Sequence, residues 1–351
     1  MPRLLDHLDI AGDIPHSGTI GIKPNLVLAK PSESGATTDP RIVDSLIVYL
    51  KNRGYEDIVI MESAWVGDST NRAFSVCGYR DLAKKHGVPL VDLKKDKTRK
   101  FRTRNLDLEV CATALDVDYL INIPVLKAHC QTRLTAALKN LKGCIPDREK
   151  RRYHTLGLHE PIAALNTILH SDLTIVDGII GDLTFEEGGT PVEMNRIFAG
   201  KDPVLIDAYA ATLLGYSPSD IHYIRLAEAY GVGTAALDQA TVTQLNTGID
   251  TPCIVGNTAN IQGLLDCLDQ KMACSACVGA TVFAMMRLAG KDKLLQLNTK
   301  IKVGQGYVNT VGPGIGVGTC TEGLEHSIGG CPPSAKRIVG FLNTLTKTNR
   351  D

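Results

Sequence analysis

The chain has 351 residues, enough to bury a substantial core in one large or two medium domains without help from a metal or a disulfide framework. Its 38 Lys and Arg balance 38 Asp and Glu, so no net field argues for nucleic acid, an anionic membrane or an acidic protein as partner. No apolar run approaches the roughly 20 residues needed to cross a bilayer, and MPRLLDHLDIAGD lacks the apolar block of a signal peptide, so the chain reads as cytoplasmic and its ten cysteines are not expected to form a disulfide framework.

In chain order, TIGIKPNLVL at 19–28 opens as a strand and breaks at Lys23-Pro24-Asn25, because proline cannot donate to a sheet ladder. Asp39-Pro40 supplies an N-cap carboxylate and a first-turn proline for the helix RIVDSLIVYLKNRG, whose Ile42, Leu46, Ile47 and Leu50 form an apolar face. EDIVIMES follows as a buried strand. The alternation recurs in the strand DYLINIP at 118–124, a helix predicted over TRLTAALKNLKG at 132–143, an amphipathic stretch near 160–170 and the strand SDLTIVDGI at 171–179. Helices are predicted at 202–215 and 221–231. Strand and helix in this order specify a mostly parallel, three-layer α/β core over residues 1–250. The turn-rich NTGIDTPCIVGNTAN at 247–260 marks a boundary, and 251–351 reads as a smaller α/β C-terminal cysteine-bearing domain with helices in IQGLLDCLDQ and VGATVFAMMRLAG and strand character in KIKVGQGYVNT. The basic runs at 94–104 and 146–152 read as solvated surface, with binding of an anionic ligand as the alternative.

Four cysteines crowd toward the end of the chain. Cys274 and Cys277 have the two-residue separation that lets neighbouring thiolates grip one metal or one cluster edge. Cys320 follows a glycine-rich run that can offer turns and free backbone amides, and Cys331 precedes a proline that keeps it out of helical geometry. Together they are candidates for a [4Fe-4S] cluster, with structural zinc as the alternative cofactor. Unliganded core thiols and a disulfide-exchanging Cys274/Cys277 pair are further readings. The spacing does not reproduce a compact ferredoxin run, so it is not diagnostic alone.

A second group of candidates follows the strand ends. Lys127, His129 and Gln131 are placed in a loop at the carboxyl end of a strand, where open α/β sheets bind ligands. The predicted helix after them would present Thr132, Thr135, Lys139 and Lys142 near one face. Lys23 and Asn25, Glu62 and Ser63, and Asp177 also close strands, and Glu186 and Glu187 lie in a polar turn. In one crevice these groups could transfer protons or bind metal. The chain carries no HExxH, G-x-S-x-G or Walker sequence and no clean GxGxxG fingerprint.

The residues so assembled resemble the domain of unknown function 362 family. The matching segments are IKPNLV at 22–27, TTDPRIVDSL at 37–46, INIPVLKAH at 121–129, TAALKNLKG at 135–143, IVDGI at 175–179 and AGKDPVLIDAYAATLLG at 199–215. The resemblance implies an α/β metalloprotein or oxidoreductase-like domain often associated with iron–sulfur clusters. Residue by residue it marks Lys23, Asn25, Lys127, His129, Lys139 and Asp177 as shared-site candidates. LKAHCQT stands where LKTH is common, EEGGTP replaces an EGxGP-like turn, and an appended two-cluster ferredoxin module is missing, which argues against a multi-cluster conduit.

The expected function is that of an iron–sulfur protein with oxidoreductase-related activity. Cys274, Cys277, Cys320 and Cys331 would hold the cluster, and Lys127 and His129 would orient a small anionic or carbonyl-bearing substrate. Asp177 would assist proton placement, Lys23, Asn25 and Lys139 would serve cofactor binding, and an electron-transfer partner is implied. A non-redox, metal-assisted lyase or isomerase and a zinc-stabilised structural or partner-binding protein are the alternatives. Oligomeric state is not legible.

Overall fold

The computed structural model describes residues 1–183, 191–246, 263–289 and 299–348. Two compact units divide the chain, one made of Met1–Lys150 with Leu158–Gly256 and the other of Arg151–Gly157 with Asn257–Asp351. Among the described residues no helix is long and apolar enough to cross a membrane.

The first unit is built on an eight-stranded, mostly parallel sheet. Its strands are β1 (Ile20–Pro24), β2 (Ile58–Glu62), β3 (Leu90–Asp92), β6 (Tyr119–Ile123), β7 (Val125–His129), β8 (Arg133–Thr135), β9 (Leu173–Asp182) and β10 (Pro191–Gly200). β4 (Thr98–Thr103) and β5 (Leu106–Cys111) form a separate antiparallel hairpin. β1 pairs in parallel with β2 on one side and with β6 on the other, and β2 pairs with β3. Only Pro124 separates β6 from β7, and both run parallel to β9. Having no N–H, Pro124 interrupts the strand, yet its carbonyl still accepts from the Asp177 N–H at 2.8 Å. β8 and β10 add antiparallel edges.

Alternation along these strands sorts the two faces. Ile20, Ile22, Ile58, Ile60, Tyr119, Ile121, Ile123, Leu173 and Ile175 share one apolar cluster with Ile42, Val43, Leu46, Ile47 and Leu50 of the helix Pro40–Lys51. That helix begins as the sequence predicts, with the Asp39 side chain accepting from the Arg41 N–H and Pro40 in the first turn. Asn122, on the alternate parity of β6, instead donates to the Ala137 carbonyl at 2.9 Å, and the helix Pro203–Leu213 lies against β9 and β10.

The predicted helix over 132–143 does not form as such. The segment folds as β8, a short helix Ala137–Asn140 and a 3-10 turn Leu141–Cys144. His129 Nδ1 accepts from the Gln131 and Thr132 N–H groups at 3.1 and 3.0 Å, which closes a β7–β8 hairpin before helix can propagate. Lys127 and His129 therefore stand in β7 and not in a loop. The basic run at 94–104 runs into the β4 strand and is charge-compensated, by Arg99 with Asp116 at 2.7 Å and Arg102 with Asp107 at 3.2 Å.

The second unit carries four strands, β11 (Leu268–Gln270), β12 (Ile301–Val303), β13 (Gly312–Val317) and β14 (Leu324–Ile328), paired in that order and all parallel. Part of the predicted helix IQGLLDCLDQ is thus strand β11. The helix Ser275–Ala289 leads from β11 toward β12, whereas β12, β13 and β14 follow one another through connections shorter than the dozen residues of an ordinary parallel crossover. Each of those connections is tightened by a 3-10 turn, Gln305–Tyr307 and Thr319–Thr321. Val278, Val282, Met285, Val303, Val317, Ile338 and Leu342 are buried in this unit.

Candidate functional site

Strand order places a topological switch beside β1. The chain leaves β1 through the helix Pro40–Lys51 to β2 and then β3 on one side, while β6 joins on the other. At such a reversal the connections diverge and leave a crevice at the carboxyl ends of the strands. Lys23 and Asn25 close β1, Glu62 closes β2, and Asn122 lies near the end of β6.

Here the structure assembles a buried polar network. Lys127 Nζ donates to Asn25 Oδ1 at 2.9 Å and to the Ala36 carbonyl at 2.8 Å. Asn25 Nδ2 donates to Asn140 Oδ1 at 2.7 Å, and Asn140 Nδ2 donates to Asn122 Oδ1 at 2.7 Å. With Asn122 donating to Ala137, three asparagines form a directional relay from the Lys127 ammonium to the backbone of the short helix. Beside it, Lys23 Nζ donates to Glu62 Oε2 at 2.8 Å, an ion pair with side-chain exposures of 0% and 3%. Glu62 is further satisfied by the N–H groups of Leu26 at 2.8 Å and Ser63 at 2.7 Å, which meets the condition for keeping a charge inside a protein. Gly143 covers this pair, because a Cβ there would collide with Glu62 Oε1 and the Lys23 ammonium.

The loop 36–39 straps the crevice. Thr38 Oγ1 accepts from the Asn25 N–H at 2.8 Å and donates to the Ile123 carbonyl at 2.7 Å. The Asp39 N–H donates to Asp177 Oδ2 at 2.8 Å, and Ile179 N–H to Asp177 Oδ1 at 3.0 Å. Burial pushes the Asp177 carboxyl up to about 6, against the opposing pull of those two N–H groups. Asp177 is thus tied to the loop that also receives Lys127. Lys139 is held more locally, its ammonium donating to Thr135 Oγ1 at 3.1 Å, and His129 shapes the β7–β8 turn.

Four participants escaped the sequence reading. Asn122 and Asn140 are the middle of the relay, and the only signal for Asn122 was a polar residue inside the otherwise apolar DYLINIP. Asp207, in the helix Pro203–Leu213, accepts from the Ala137 N–H at 2.6 Å and the Leu138 N–H at 3.1 Å, and burial pushes its carboxyl up to about 7. Lys150, brought down to about 8 by burial, donates to the carbonyls of Ser63 and Ala64, both at 2.8 Å, and to the Ser63 hydroxyl. Glu186, Glu187 and Cys253 lie outside the described residues.

In the second unit the register aligns four strand ends in one row, with Gln270 opposite Val303, Val303 opposite Val317 and Val317 opposite Ile328. Cys274 and Cys277 follow Gln270, Cys320 follows Val317, and Cys331 follows Ile328, so all four lie beyond the same edge of the sheet. After Val303 comes Gln305, whose Nε2 donates to Cys274 Sγ at 3.7 Å. The Gly318 N–H donates to the Ile328 carbonyl at 2.9 Å and the Thr319 N–H to the Gly330 carbonyl at 3.0 Å, lacing together the turns that bear Cys320 and Cys331. A Cβ on Gly318, at φ +102°, would stand 3.4 Å from Cys277 Sγ. Burial and the neighbouring Cys331 raise the pKa of Cys320. The described cysteines are not in disulfides, and no three His, Cys, Asp or Glu side chains among the described residues are grouped tightly enough to hold a single metal ion.

Fold and network together define an α/β protein with a lysine- and asparagine-rich site at the switch of a mostly parallel sheet. Residues 20–212 match the family described as Domain of unknown function (DUF362), and the chain belongs to that family. The chain is similar to the Thylakoid-associated protein sll1697 of Synechocystis sp., at 25% identity over 247 residues, covering 67% of this chain and 75% of that protein. Among solved structures, the lactate racemase apoprotein from Thermoanaerobacterium thermosaccharolyticum is 12% identical with a TM-score of 0.36, over 61% of this chain and 49% of that one, so this chain spans about half its length.

Proposed function

We propose that the chain is an iron–sulfur protein with oxidoreductase-related function, in which Cys274, Cys277, Cys320 and Cys331 hold one [4Fe-4S] cluster. The observation that carries this reading is the aligned row Gln270, Val303, Val317 and Ile328, beyond which all four thiols follow on one sheet edge. Zinc requires its thiolates about 2.3 Å from a single ion, whereas a cluster spreads its cysteines over separate irons. Structural zinc on the same four thiols is the alternative. When bound, such a cluster supplies one-electron transfer. The Gln305 amide, on Cys274, provides an N–H donor of the kind that tunes cluster sulfurs.

In the first unit, Lys127 and His129 orient a small anionic or carbonyl-bearing substrate, Asp177 holds the proton, and Lys23, Asn25 and Lys139 keep the cofactor-binding side of the crevice in place. The position of Lys23 and Asn25 at a strand-order reversal and the raised pKa of Asp177 support these roles. The same carboxyl, able to gain or lose a proton near neutrality, favours as a second reading a non-redox lyase or isomerase, which would turn substrate over with no net electron transfer.

The deciding measurement is iron, acid-labile sulfide and zinc analysis with electron paramagnetic resonance on anaerobically purified protein. Iron and sulfide in cluster stoichiometry, with visible absorption that bleaches reversibly on reduction, are expected. Protein that contains neither iron nor sulfide after anaerobic purification would sink the cluster assignment.

A further inference from the structure

A second group of titratable side chains gathers in the first unit away from the asparagine relay. His159 opens the helix His159–Leu165 and His222 opens the helix His222–Ala229. Their rings meet edge to face with centroids 5.3 Å apart, and His159 also stacks on the buried Tyr223 at 6.1 Å. Arg225 Nη2 stands 3.0 Å from His222 Nδ1. A guanidinium can only donate, so that nitrogen accepts and the His222 hydrogen sits on Nε2.

Arg133 completes the group from the β7–β8 turn. Its backbone takes φ +65°, a region that non-glycine residues rarely occupy and that concentrates at functional positions. Its guanidinium lies 5.8 Å from the centroid of the Tyr216 ring, and Asp220 reaches it at 4.0 Å. Arg133, His222 and Arg225 are all exposed, so a ligand from solvent can meet them.

His159 differs from its neighbours. Burial lowers its pKa to about 4, with His222, Arg133 and Arg225 adding to the effect, so the ring is neutral near neutral pH. The Gln131 backbone hydrogen-bonds the ring, while Nδ1 is buried and has no partner. With one nitrogen engaged at the Gln131 carbonyl, Nδ1 presents a lone pair. Two cationic forks beside an unmatched acceptor call for a ligand that is anionic and still carries a hydrogen.

We propose that Arg133, Arg225, His222 and His159 form a binding site for a singly protonated phosphate group, its anionic oxygens on the two guanidiniums and its P–OH donating to His159 Nδ1. Arginine forks match phosphate oxygens in geometry as well as charge. Free phosphate and the phosphate of a small organic monoester offer the same group.

Isothermal titration of the full chain with inorganic phosphate, methyl phosphate and sulfate at fixed ionic strength tests the site. Inorganic phosphate is expected to bind saturably, and R133Q and R225Q each to weaken it about tenfold, the scale of one charged hydrogen bond. Sulfate is fully ionised and has no hydrogen to donate, so it is expected to bind more weakly than phosphate, a preference that H159F removes. D220N, which relieves Arg133 of its counter-charge, is expected to tighten binding. Methyl phosphate binding at least as well as phosphate identifies an organic monoester as occupant, and weaker binding identifies free phosphate. The proposal is overturned if phosphate does not bind, if R133Q/R225Q binds it unchanged, or if sulfate binds equally well. Unchanged circular dichroism and urea midpoints in the arginine variants separate loss of binding from loss of fold.

Discussion

Asn25 donates to Asn140 Oδ1 at 2.7 Å, joining the end of β1 to a short helix that follows it by more than a hundred residues. Both amides are buried, and each is used in two directions. Asn140→Ala leaves the Asn25 amide donor and the Asn122 carbonyl acceptor without this partner, at about 1–3 kcal/mol for each buried group stranded. A loss of that order in urea unfolding is expected, and Asn140→Asp is expected to be no better because a carboxylate cannot donate to Asn122. Wild-type stability in Asn140→Ala would show that the relay is not a structural element.

The Lys23–Glu62 pair should behave asymmetrically. Removing one partner by Glu62→Gln or Lys23→Met strands a buried charge or its hydrogen-bond donors, and a loss of about 3–5 kcal/mol is expected. The double replacement Lys23→Met/Glu62→Leu should cost less than the sum of the singles, which a double-mutant cycle measures. Gly143→Ala should resemble the single variants, since its Cβ would drive into both partners.

Two raised carboxyl groups give the protein a pH signature. Asp177 shifts from an ordinary 3.8 to about 6 and Asp207 from 3.8 to about 7, both chiefly through burial. The folded state then binds these protons more tightly than the unfolded chain. Their contribution to stability is fully present below the unfolded value and is lost as pH rises through the folded one, by about 1.4 kcal/mol per pH unit and group inside the window. Carboxylates such as Asp44 and Glu109, whose values are lowered by Lys85 and Arg148, slope the other way at lower pH. The difference between wild type and Asp207→Asn, followed as urea midpoint against pH, isolates the effect. A difference that stays flat between the two values would refute it.

Loading of the cysteine edge should depend on its turns as much as on its thiols. Cys320→Ser and Cys331→Ser are expected to remove most bound iron and the visible band. Gly318→Val adds a side chain against Cys277 Sγ at a backbone angle that suits glycine, and it is expected to lower iron content although every cysteine remains. Iron content equal to wild type in Gly318→Val would place the cluster elsewhere.

Much of the first unit was legible locally. The apolar stripe and the Asp39-Pro40 start specify the helix Pro40–Lys51, and largely apolar runs, broken in β6 by Asn122, specify β2 and β6, because burial on one stripe or on both faces leaves a periodic trace. Residues 132–143 carry the same helical trace and yet fold as strand, short helix and turn. Long-range bonds outweigh local propensity there, since the hairpin closes on His129 and Asp207 caps the helix from a distant segment.

The site divides in the same way. Lys23, Asn25, Lys127 and Asp177 were visible because charged or amide groups stand out beside apolar runs, although Lys127 lies at the centre of β7 and Asp177 in the middle of β9 and not at strand ends. Asn140 and Asp207 were not, since nothing in a helical segment announces that its polar residue will meet a strand in another part of the chain. Sequence by itself determined the family and the alternation of strands and helices, and it singled out four cysteines as candidates. Only the tertiary structure decided strand order, the pairing of Asn25 with Asn140 and Lys23 with Glu62, and the common sheet edge beyond which Cys274, Cys277, Cys320 and Cys331 lie. Those relations depend on register between strands distant in the chain, and register is set by the mutual burial of whole faces, which no local stretch of sequence encodes.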